Sequence, residues 1–169
     1  MNVELYPLER IVIDGNSIYF GMERNAVKKI MGEGQLVGTR EYYLNNEMAI
    51  DYRDNKVEYI EFLGGTDGKL NPVIFGVSVF DSDSEMLLAV LKKENNGNFC
   101  DRERGYSYQF PNISVGVYRE AVPEEVAELV KEAAENGKPL SSEEIAYEMK
   151  RANRFSTVGI GVEGYFKSL

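Results

Sequence analysis

Asn16-Ser17-Ile18-Tyr19-Phe20-Gly21 returns as Asn71-Pro72-Val73-Ile74-Phe75-Gly76, both of the form N-x-(I/V)-x-F-G, at an offset of 55 residues (71 − 16). The segments after the two copies repeat as well. Over 22–31, Met22, Ala26, Val27 and Ile30 share one helical face, and Gly32 or Gly34 supplies the stop. After the second copy, Ser82-Asp83-Ser84-Glu85 has capping-box spacing, and Met86, Leu87, Val90 and Leu91 form the apolar face behind it. A strand pair around a polar turn comes next. In the first copy it is 42–44, Asn45-Asn46 and 48–52; in the second it is 106–110, Pro111-Asn112 and 113–118. This alignment sets Tyr42 with Tyr108, Leu44 with Phe110 and Tyr52 with Tyr118. A third strand closes each unit, 57–62 in the first and 157–165 in the second. In the latter, Val158, Ile160 and Val162 alternate with Gly159, Gly161 and Glu163.

The second copy holds an insertion before its last strand. Val122-Pro123-Glu124-Glu125 opens a helix, with proline suited to the first turn and acids at the positive dipole end. Val126, Leu129, Val130 and Ala133 make its stripe, and Asn136-Gly137 ends it. Ser141-Ser142-Glu143-Glu144 caps a second helix that runs to about Asn153. The expected fold is α+β: a curved antiparallel sheet from two helix-plus-three-strand repeats, with helices mainly on one face and a helical-hairpin insertion. It is one domain over 1–169, with repeat 1 at about 10–63, repeat 2 at about 70–166 and the insertion at 122–154.

Nineteen basic against 28 acidic residues leave a formal charge of −9. That balance opposes nucleic-acid binding, which needs a basic face, and suits a basic protein partner. There is no histidine and one cysteine, Cys100. Triads built on histidine and the usual zinc sets are thereby excluded, and no intramolecular disulfide can form. Cys100 sits beside Asp101, an acidic neighbour that does not activate a thiol, so it reads as a bystander. The N-terminus lacks a basic start followed by an apolar run, and no apolar stretch nears the ~20 residues of a membrane span. The sequence predicts a cytoplasmic protein with no membrane partner, no metal and no cofactor.

Asp14-Gly15-Asn16-Ser17 reads as a turn between strands rather than a metal or phosphate loop. Asp81-Ser82-Asp83-Ser84-Glu85 reads as a helix cap, or as a contact patch for a basic partner. Asp101-Arg102-Glu103-Arg104 is a mixed-charge run in a loop. The 11 tyrosines and absent tryptophan place many phenols on strands, which is ordinary sheet packing or a recognition face. No carboxylate pair stands out in a context that would raise one pKa, so a histidine-free hydrolase ranks last.

The repeated helix-plus-three-strand unit, opened by an F-G step before the helix, resembles the repeat of bacterial β-lactamase inhibitor proteins and of small outer-membrane assembly lipoproteins. The run 50–60, Ile-Asp-Tyr-Arg-Asp-Asn-Lys-Val-Glu-Tyr-Ile, is similar to that pattern, with a charged turn between strands. The chain departs from the lipoproteins in lacking a signal and a lipidated cysteine. Small, acidic and without catalytic motifs, it further resembles immunity proteins of bacterial polymorphic-toxin and contact-dependent inhibition systems. The resemblance implies a non-enzymatic protein that occludes the active site of a cognate basic toxin. Asp81, Asp83, Glu85, Asp101 and Glu103 would match a basic cleft, and Tyr42, Tyr52, Tyr59, Tyr106, Tyr108 and Tyr118 would supply desolvated contacts. The alternative is a small-molecule or peptide-binding module that uses the concave sheet.

Overall fold

The computed structural model of the chain describes residues 1–168. It is an α+β fold with two open sheets. The first repeat runs β2 (Arg10–Ile13), β3 (Asn16–Tyr19), α1 (Arg24–Met31), β4 (Gln35–Val37), β5 (Arg40–Tyr43), β6 (Met48–Arg53) and β7 (Lys56–Phe62). The second runs β8 (Asn71–Ile74), β9 (Val77–Ser78), α2 (Ser84–Asn95), β10 (Cys100–Asp101), β11 (Ser107–Phe110), β12 (Val115–Tyr118) and β13 (Thr157–Gly161). The insertion, α3 (Pro123–Glu135) and α4 (Ser142–Ala152), lies between β12 and β13, and β1 (Asn2–Tyr6) precedes both units.

Each unit is therefore a hairpin, a helix and four strands, where the sequence pattern indicated a helix and three. The eight strands of the larger sheet run β10-β11-β12-β13-β7-β6-β5-β4, so the two four-stranded halves meet at their last strands. The hairpins form a separate five-stranded sheet, β3-β2-β1-β8-β9, in which β1 pairs antiparallel with β2 and parallel with β8. A single apolar core joins the two sheets. Val3, Ile11 and Ile18 meet Met48, Ile50, Ile60 and Phe62, and Val27 of α1 and Leu87, Leu88 and Leu91 of α2 enter the same cluster.

The repeat is real in element order but its register differs from the sequence alignment. Asn16–Tyr19 is the second strand of its hairpin, whereas Asn71–Ile74 is the first. The equivalent points are the two-residue turns. Asp14 and Gly15 (φ +47° and +74°) match Phe75 and Gly76 (φ +50° and +77°), the left-handed pair that a tight hairpin requires. The later strands are also offset by one residue. Tyr43 and Phe110 end the inner rows of β5 and β11, and Met48 and Ile50 match Val115 and Val117. A one-residue slip exchanges the faces of a strand, so the tyrosines paired by sequence point to opposite sides.

At the centre of the larger sheet Ile160 pairs with Ile60, Glu61 with Gly159 and Phe62 with Val158. Met48 pairs with Phe62 and Val115 with Ile160, so the sheet reads alike from either half and the pseudo-dyad crosses the Glu61–Gly159 pair. In β7 the pairing passes from Tyr59–Asp51 to Val57–Tyr52, and the skipped Glu58 forms a bulge that turns Val57 into the core.

Several helix ends match their local signals. Gly32 closes α1, Pro123 opens α3, and Ser141 and Glu144 form a reciprocal capping box on α4. The cap of α2 differs: Asp83, not Ser82, accepts from the Glu85 and Met86 amides. Phe75 holds a left-handed φ while 41% exposed, so no burial offsets that conformation. Replacing it with asparagine, which tolerates this region, is expected to raise stability by about 1 kcal/mol in urea denaturation.

Candidate partner-binding face

Arg119 follows β12 and is 5% exposed. Its Nε donates to the Gly105 carbonyl (2.7 Å), and one terminal nitrogen donates to Ser84 Oγ (2.9 Å) and to the Ala152 carbonyl (3.0 Å). One guanidinium thus ties the β10–β11 loop to the start of α2 and the end of α4. The Ala152 carbonyl is at the negative end of its helix, where a cation is favoured. The Phe155 ring lies 5.8 Å from the guanidinium carbon. Among the described residues no carboxylate forms an ion pair with Arg119.

Around this knot the two acidic runs of the sequence converge. Asp101 folds the loop back on itself, its Oδ1 accepting from the Glu103 amide (3.3 Å) and the Gly105 amide (2.8 Å). Tyr108 stands between the groups: burial raises its phenol pKa first, the Asp101 carboxylate adds to that, Arg119 opposes it, and Glu85 raises it again. Asp101, Glu85 and Arg119 thus all lie within electrostatic reach of the Tyr108 phenol. Asp83 caps α2, and Asp81 faces Arg154 at 3.9 Å. Glu85, Asp101 and Glu103 have no Lys or Arg partner among the described residues.

Tyr106 extends the face towards α3. Its hydrogen bond to the Glu125 carboxylate, with burial second, pushes the phenol from its ordinary 10.0 up to about 12. A phenol with a raised folded pKa stabilises the fold fully below the unfolded value of 10.0, and that contribution is lost as pH rises towards 12. Tyr106→Phe is expected to remove one late step from the tyrosinate absorbance titration and to flatten the stability loss between those pH values.

The remaining tyrosines divide between the two faces of the larger sheet. Tyr42 and Tyr118 lie on the outer face, and Tyr118 is 38% exposed. Tyr52 and Tyr108 pack against the core instead, so the strand tyrosines do not share one face. Tyr59 is on the outer face but 7% exposed, stacked on Tyr165 at 4.4 Å and met edge-on by Phe166. It is therefore covered by the chain's own C-terminal turn and is not a free contact residue.

Beside it Arg40 donates to both oxygens of Asp51 (2.9 and 2.7 Å) and pairs with Glu61, whose other oxygen accepts from the Tyr59 hydroxyl (3.3 Å). A cleft of about 140 Å³ opens next to this cluster, with Glu61, Ser107, Gln109, Thr157 and Tyr118 in its lining.

The first repeat holds the counterpart of the Arg119 knot, which sequence reasoning missed. At matching places, Arg24, Glu41 and Tyr52 stand where Ser84, Tyr108 and Arg119 stand in the second. Glu41 is 2% exposed, with Arg24 Nε at 3.7 Å and Lys28 Nζ at 3.5 Å. The Arg24 guanidinium carbon lies 4.3 Å from the Tyr52 ring centre. In one repeat the helix supplies the cation and in the other the residue just after the strand does, so no residue motif repeats. A further exposed patch has no local sequence signal either. Tyr6, Arg10 and Tyr19 are cross-strand neighbours on the five-stranded sheet, and Leu8 and Phe75 stand exposed at the same end.

Among the described residues no cluster of three or more Cys, Asp or Glu side chains could hold a metal ion, and no helix is long and apolar enough to cross a membrane. Comparisons with protein-family models, with curated proteins and with solved structures find no match to this chain.

Proposed function

We propose that this chain is an immunity protein that binds a basic protein toxin and blocks its active site. The observation that carries this reading is the convergence of the 81–85 and 101–103 acidic runs around Arg119. Sixteen residues apart at their nearest (101 − 85), they are held there by the hydrogen bonds of Arg119 and the Asp101 turn. Rigid loops cost little order on binding, and carboxylates without internal cations offer their charge to a partner. Tyr106 and Tyr108, both half-buried, border these acids, Tyr108 with one side against the core. A cytoplasmic site of action belongs to this proposal.

The test is capture with the tagged full chain from a lysate of its own source. The expected result is one basic protein recovered in equal amount, released by salt, lethal when expressed alone and harmless when co-expressed. Capture of nothing while the lethal protein is demonstrably present overturns the reading. The polar cleft beside Tyr59 favours a second reading, a small ligand bound on the outer sheet face. That reading expects thermal stabilisation by a metabolite pool and no protein partner.

A further inference from the structure

The helical insertion carries more exposed apolar surface than a structural brace requires. α3 buries only Val126 and α4 only Ala152, while Leu129 is 46% and Tyr147 50% exposed. Between the helices runs a groove of about 310 Å³ with Val126 and Leu129 as its apolar lining and Glu125, Glu128, Glu132 and Glu148 as its acidic one. Glu125 is engaged by Tyr106 and Glu148 by Arg151. Glu128 and Glu132 have no cationic partner among the described residues.

These carboxylates work against the helix that bears them. Glu124, Glu128 and Glu132 follow one another at i, i+4, a spacing at which like charges destabilise a helix. The last turn of α3 holds no basic residue, so acids there also oppose the negative dipole end. A cation laid along the groove would relieve both costs. The groove beside two packed helices suits a third helix, with its apolar side chains on Leu129 and its cations on the rim.

We propose, on the basis of the protein-partner reading above, that the α3–α4 groove docks a basic amphipathic helix of the protein partner. Leu129, with Ala121 beside it in the lining, receives its apolar side chains, and Glu128 and Glu132 its Lys or Arg side chains.

The probe is a fluorescently labelled synthetic amphipathic helix of leucine and lysine, titrated into the full chain and followed by anisotropy and amide NMR shifts. Glu128→Lys with Glu132→Lys is expected to weaken binding about 30-fold, and Leu129→Ser about tenfold. The same charge change made outside the hairpin, Glu4→Lys with Glu94→Lys, is expected to cost less than about threefold. Shifts are expected to concentrate on 121–152, and circular dichroism to stay unchanged. Equal losses from the outside pair, or no loss from Leu129→Ser, overturn the proposal, because binding would then follow net charge alone. Neutralisation of the captured toxin separates the two readings. If the Glu128→Lys/Glu132→Lys chain still neutralises fully, the groove is overturned and the immunity reading stands. If probe binding is confined to the groove but no toxin exists, only the immunity reading falls.

Discussion

Gly159→Ala is expected to cost about 3 kcal/mol in urea denaturation, although alanine suits a strand better than glycine by about 0.5–1 kcal/mol. The reason is a ring. A Cβ on residue 159 would lie 1.8 Å from the Tyr59 hydroxyl oxygen and 2.3 Å from the carbon that bears it. A free phenol could swing aside. This one is 7% exposed, stacked against Tyr165 and hydrogen-bonded to Glu61. The neighbouring strand repeats the arrangement, because Gly116 receives the Phe166 ring in the same way. Sterics therefore outweigh propensity here. A double-mutant cycle isolates the clash: after Tyr59→Ala, adding Gly159→Ala is expected to cost almost nothing. Additive losses, or a neutral single variant, would show that the ring yields and would sink the explanation.

Arg119→Met is expected to lose about 3 kcal/mol, and Arg119→Lys to recover no more than about half of that. Two opposing terms decide the size. Removing a buried charge relieves its desolvation, which by itself would stabilise. Against this, the Gly105 and Ala152 carbonyls and Ser84 Oγ all lose their donor inside the protein. A guanidinium reaches three directions from one plane, whereas an ammonium on a flexible stem holds fewer of them. The variant has a second signature: amide exchange is expected to quicken over 101–106 and at the start of α2 together. Stability unchanged in Arg119→Met, or exchange altered in one segment alone, would mean that Arg119 does not tie the acidic loops together.

The parts of this fold that were legible in the sequence are those written within a few residues. Pro123 at a helix start, the Ser141–Glu144 box, Gly32 at a helix end and the Asp14-Gly15 turn each act through neighbours three or four residues away. The order of elements in the two units was legible for the same reason. The short edge strands β4 and β10, three and two residues long, carry too little alternation to be seen. The separate hairpin sheet depends on β1 lying between β2 and β8, a pairing of segments about 70 residues apart that no local pattern encodes.

The candidate face follows the same division. Which residues are acidic or aromatic is plain from the chain, but whether a strand tyrosine is exposed depends on its register. Tyr42 and Tyr108, matched in sequence, end on opposite faces because the strands are offset by one residue more. Arg119 is, in sequence, an ordinary charge after a strand; its role exists only because Ser84, Gly105 and Ala152 close around it. By itself the sequence determined the α+β class, the ends of the α3–α4 hairpin, the negative charge and the exclusion of histidine chemistry. The tertiary structure alone decided which acids meet, which tyrosine is covered and which helices keep an apolar side outward. Composition and caps act locally, whereas burial and pairing exist only once distant strands are in contact.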